Sequence, residues 1–231
     1  MQVENHKEEV PFEYYAELFA KADAQEMAER TGTNFDGEKF YVNLLGVEYA
    51  ITHPQYSIEI SLPCVRGGAP EGRRGCDNPS VSCADSSLCT REPLAVALPV
   101  QTFILRWLLE GKKVSWQGNW KTFREMPWGE LYIKPYTGRV LTRAAFTFGF
   151  KLEKFRAACE KMGAVAVKHG DAGYQLQLLP GFWMQIMVWE GDDEFPPNAQ
   201  VLYTDNFEDG FAPEDRVVAG DILITAIKGN M

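Results

Sequence analysis

The sequence is poor in the motifs that announce a reaction. It holds three histidines in 231 residues, and none sits in an HExxH pair. There is no GxxxxGK followed by Ser or Thr, and no GxGxxG, so phosphate-cradling loops find no support. A GxSxG elbow is missing as well, which weighs against an α/β-hydrolase. The stretch Asp205 to Gly210 (DNFEDG) begins like a calcium loop, but Phe207 holds its third position and Arg216 its twelfth, so the ligand set fails.

Positive charge is also scarce. Lys and Arg number 23 against 32 Asp and Glu, a formal net charge of −9. That deficit argues against nucleic acid or an anionic membrane as a main partner, because both need a basic surface. No run approaches the roughly 18 apolar residues of a membrane helix. The N-terminus, MQVENHKEEVPFEYY, is acidic and has no apolar h-region, so no signal peptide and a cytoplasmic location are expected.

What is present fits a sizeable globular fold: 45% hydrophobic, 24% charged and 13% aromatic. Phe12, Tyr15, Phe19 and Ala22 predict a helix to about Arg30, with Gly32 as its stop. Alternation through 40–45, 47–51 and 56–60 predicts strands and a hairpin. Pro99 opens a buried helix that Gly111 ends. Residues 114–133 read as extended chain with turns. Leu141, Ala145, Phe148, Leu152, Phe155, Cys159 and Met162 form one helical face, which Gly149 can split, and Cys159 on that stripe reads as core. Strands follow at 164–167, 174–179, 182–189 and 200–203, the third apolar on both faces as a central strand would be. A helix from Pro213 to Lys228 closes the chain. Helices and strands come in blocks, which predicts a single α+β domain over 1–231 with a central mixed or antiparallel sheet.

One stretch breaks the pattern. Residues 63–93 are rich in Gly, Pro, Ser and Asp and form a long insertion. It carries Cys64, Cys76, Cys83 and Cys89. Four thiolates can hold zinc or an iron–sulfur cluster, although no CxxC pair eases their convergence. Disulfides or free thiols are the alternatives, and Arg73 and Arg74 beside Cys76 would lower its pKa.

A second candidate is the acidic loop Glu190, Asp192, Asp193 and Glu194, flanked by Trp189 and Phe195 and closed by Pro196 and Pro197. Its carboxylates suit general acid–base work or a hard cation, against the plainer reading of a solvated hairpin tip. The turn at His169 and Asp171 would join Asp192 and Glu194 in one catalytic pocket if the sheet brings them together. Trp189 and Arg124 would then grip an organic substrate. An exposed aromatic patch from Trp116, Trp120 and Trp128 would instead mark an interaction module.

From Leu94 onward the chain resembles the domain of unknown function 3786 family of anaerobic bacteria and archaea. The resemblance rests on the Trp107-Leu108-Leu109 helix end, NWKTFREMPWGELY (119–132), the HGDAGY turn, VWEGDDEFPPNAQVLYTDNF (188–207) and PEDRVVAGDIL. It implies an accessory or cofactor-binding protein of anaerobic redox or corrinoid one-carbon metabolism, since members are described as iron–sulfur proteins and some are encoded near corrinoid methyl-transfer systems. Some members carry an N-terminal cluster-binding segment; here the cysteines lie in 63–93 instead. The partner expected is a small molecule or a protein of that metabolism. The alternative is a small enzyme built on His169, Asp171, Asp192 and Glu194.

Overall fold

The computed structural model describes residues 9–61 and 96–231. Cys64, Cys76, Cys83 and Cys89 lie outside the described residues.

The described residues start with two helices where the periodicity predicts one: α1 (Glu9–Lys21) and α2 (Ala24–Thr31). The break falls at Asp23, whose carboxylate caps α2 by accepting from Glu26 N at 2.8 Å. His53 Nε2 donates there to Phe19 O at the end of α1 and to Ala22 O in the break, at 3.1 and 3.2 Å. Strands β1 (Asn34–Phe35), β2 (Lys39–Leu44), β3 (Val47–Thr52) and β4 (Ser57–Ser61) then form an antiparallel sheet in chain order.

Helix α3 (Leu98–Glu110) begins with proline in its first turn and stops at Gly111, as expected. Beyond it the extended reading of 114–133 holds only in part. Strand β5 (Trp120–Thr122) and a 3-10 turn lead into α4 (Gly129–Tyr136). Its opening glycine and internal Pro135 hide this helix from propensity reasoning. After Pro135, which cannot donate to the ladder, residues Thr137–Thr142 run as a π-turn into α5 (Arg143–Phe148). Gly149 separates α5 from α6 (Leu152–Lys161). Cys159 on α6 is fully buried, and burial pushes its thiol up to about 12.

A second sheet follows: β6 (Val165–Ala166), β7 (Ala172–Leu179), β8 (Phe182–Trp189) and β9 (Asn198–Thr204), ordered β5-β9-β8-β7-β6 and antiparallel throughout. Short α7 (Phe207–Gly210) and long α8 (Pro213–Gly229) complete the fold. The class is α+β, with the strands divided between two sheets. The sheets meet through packing of β2 on β7 and one backbone bond, Leu45 N to Leu178 O at 2.9 Å. Phe40 and Ile51 of the first sheet, Leu108 of α3, Ile186 of β8 and Leu223 of α8 all belong to one apolar cluster.

Irregular backbone is held by buried polar side chains. Asp205 accepts from Gln117 N, Asn119 N and Asn119 Nδ2 at 3.0, 3.1 and 2.9 Å. Burial raises its pKa, but these bonds outweigh that effect and leave it below the ordinary value. Asn206 Nδ2 donates to Val114 O and Gly181 O at 2.8 and 3.0 Å. Arg216 is 2% exposed. Its guanidinium donates to Phe211 O, Pro127 O and Glu208 O at 3.1, 2.8 and 2.9 Å. Removing it strands three carbonyls, each costing roughly 1–3 kcal/mol. Urea unfolding of Arg216→Met is therefore expected to show a loss of about 3 kcal/mol or more. A loss below about 1 kcal/mol, the worth of one ordinary hydrogen bond, would contradict this role.

Candidate ligand-binding cleft

The sheet does bring the 168–173 turn beside the acidic loop. Asp171 N donates to Val188 O at 3.0 Å, and the Asp171 carboxylate accepts from Glu190 N at 2.8 Å. Arg156 donates to Asp171 O. The contact is made by backbone and turn geometry: His169, Asp171, Asp192 and Glu194 all lie exposed. Asp192 Oδ1 accepts from Glu194 N and Phe195 N at 2.8 and 2.7 Å, and those bonds hold its carboxyl below the ordinary range. It serves as the cap of its own turn. Trp189 starts the loop, while Arg124 is exposed and pairs with Glu130 at 3.1 Å. Trp116 and Trp120 meet edge to face at 5.4 Å, and Trp128, at φ 65°, is 69% exposed. Among the described residues no three His, Cys, Asp or Glu side chains converge on a point that could hold a metal.

Two ionic sites lie on α8. Arg106 of α3 pairs with Asp215 through Nε and Nη2, reaches Glu110 at 3.2 Å, and donates to the hydroxyl of Tyr15 on α1. Burial lifts Asp215 to about 6 despite that guanidinium, so at neutral pH the pair is charged. Two turns further along, Asp221 is met by Arg143 and, at 3.7 Å, by Arg139. Arg143 also donates to Thr225 at 3.0 Å.

Asp221 opens onto a cleft of about 530 Å³ between the β2–β3 turn, the start of α3, the end of α6 and the C-terminal half of α8. Its floor is apolar, with Leu44, Val100, Met162 and Ile222; its rim carries Lys161, Asp221, Thr225 and Asn230. This size and this division into apolar floor and few polar groups are those of small-molecule sites. Tyr49 also lines the cleft, half-buried, and among the described residues its hydroxyl has no hydrogen-bond partner. Burial raises its pKa, so it stays a donor at neutral pH.

At the lip sits a strained residue. Leu45 has φ 50° and Gly46 φ 80°, the geometry of a two-residue hairpin turn that normally takes Asn-Gly. An aliphatic residue there costs about 1–2 kcal/mol. The bond from Leu45 N to Leu178 O and that from Gly46 N to Asn43 Oδ1, at 3.2 Å, hold it in place. Strain of this kind gathers at binding sites. Leu-Gly in place of Asn-Gly was the one sequence signal that could have pointed here; Lys161 and Asp221 carry none.

No curated protein and no solved structure matches the chain. A family match does cover residues 81–226, which takes in α3 through most of α8, and so one wall of the cleft with Asp221 and Ile222 of PEDRVVAGDIL. With more than half of its 231 residues matched, the chain belongs to the family described as domain of unknown function (DUF3786).

Proposed function

We propose that the protein is a non-catalytic accessory protein that binds a small organic molecule or cofactor in the cleft between the β2–β3 turn, α3, α6 and α8. The observation that carries this reading is the cleft itself, an apolar floor with a tyrosine hydroxyl that has no partner among the described residues and a strained lip. Its lining supplies burial and hydrogen bonds, and its carboxylate, Asp221, is already occupied by two guanidinium groups. The enzyme alternative draws less from the geometry, because His169, Asp171, Asp192 and Glu194 are exposed and two of the carboxylates serve their turns.

The neutral apolar fluorophore N-phenyl-1-naphthylamine tests the reading. It is expected to brighten saturably at one site per chain, and Ala226→Trp or Ala97→Trp, each filling the cleft from one wall, is expected to abolish the signal. No saturable binding, or binding unchanged in both folded variants, would rule the cleft out.

A metal-holding role for the insertion is proposed beside it, as four soft thiolates are a donor set for zinc or an iron–sulfur cluster. Cys159 is buried with its thiol at about 12, so the ligands would be Cys64, Cys76, Cys83 and Cys89. Protein purified anaerobically is then expected to hold iron or zinc at stoichiometric level and to lose it on Cys→Ser at 76, 83 and 89. Unchanged metal content in those variants, or none in the parent protein, would remove this role.

A further inference from the structure

We infer that the cleft selects molecules with an apolar body and an anionic end, the anion being met by Lys161 at the rim and the hydroxyl of Tyr49 within. The inference rests on the cleft being a ligand site and adds the chemistry of the ligand.

The charge balance of the rim points this way although the chain as a whole is acidic. Among the described residues Asp221 is the one carboxylate lining the cleft, and Arg143 and Arg139 both reach it. Its charge is thus more than neutralised before any ligand arrives. Lys161, at the end of α6, is exposed, and among the described residues it has no carboxylate within 4.0 Å. Lys161, without a carboxylate partner among the described residues, beside a carboxylate already paired by two guanidiniums that lie outside the lining, leaves the lining groups a positive surplus. The ends of α6 and α8 bring helix C-termini to the same rim, and their dipoles offset part of that surplus; a fraction of a charge at each end does not cancel it.

The remaining polar groups fit an acceptor. Tyr49 lines the cleft with a hydroxyl that stays protonated at neutral pH and therefore donates. Asn230 Nδ2 is already used on Ala226 O at 3.0 Å. A carboxylate or sulfonate would meet a cation and a donor that have no other partners among the described residues. A cationic head would meet Lys161 head on. The apolar floor of Leu44, Val100, Met162 and Ile222 takes the body of the molecule.

The matched probe is 8-anilinonaphthalene-1-sulfonate, which has the skeleton of N-phenyl-1-naphthylamine plus one sulfonate. A half-exposed ion pair is worth up to about 1 kcal/mol, so the sulfonate is expected to bind about fivefold more tightly at low salt. The advantage is expected to shrink at high salt, to vanish in Lys161→Gln and to survive in Lys161→Arg. Lys161 is a surface residue of α6, so these variants leave the fold intact, and binding of the neutral probe serves as the control. Equal affinities of the two probes, or an advantage that persists in Lys161→Gln or in the cleft-filling Ala226→Trp, would overturn the anionic preference while leaving the cleft reading standing. Failure of the neutral probe to bind would instead sink the cleft reading.

Discussion

Arg216 holds the matched region together from inside. Its three hydrogen bonds tie the turn before α4, the end of α7 and the entry to α8 to a single buried cation. None of those segments can satisfy its own carbonyls by a helix or strand ladder, and a buried carbonyl without a partner is expensive. Asp205 and Asn206 do the same for the stretch from Val114 to Asn119 and for Gly181, using a carboxylate for amides and an amide for carbonyls. The polar residues of VLYTDNF and PEDR therefore serve the fold, and a search for chemistry among them would misread structural staples as a site.

With those staples in place, α8 presents one face to the core and another to solvent. Asp215 and Asp221 sit on that helix with different partners and different surroundings. Asp215, against Arg106 and Tyr15, binds α1 and α3 to the body. Asp221 lies at the open end, where the β2–β3 turn leans over and closes a cleft. One wall comes from the family-matched region and the other from the N-terminal sheet outside it.

Much of the fold was legible from periodicity and punctuation. Pro99 and Gly111 bounded α3, Pro213 opened α8, and the unbroken apolar run of 182–189 marked the central strand. What escaped was context-dependent: α4 with Pro135 inside it, the split at Asp23, and the division into two sheets, which depends on tertiary contact rather than on local preference. The acidic loop was legible as a loop, and its contact with the 168–173 turn, which the sequence left as a condition, is made by backbone. Its charge drew attention away from the cleft, whose members Leu44, Tyr49, Lys161, Met162 and Asp221 are scattered over nearly 180 residues and share no pattern. A cleft assembled from such distant, ordinary residues leaves little trace in one sequence beyond the Leu45-Gly46 turn at its lip.

Hydrogen exchange at the amides of Gln117 and Asn119 tests most directly the idea that buried polar residues staple irregular backbone. Both residues are exposed and lie in no strand or helix, so among the described residues only Asp205 accepts from their N–H groups. They are expected to exchange within about tenfold of the β9 amides, and far faster in Asp205→Ala. Exchange in the native protein at the rate of an open loop would contradict the assignment.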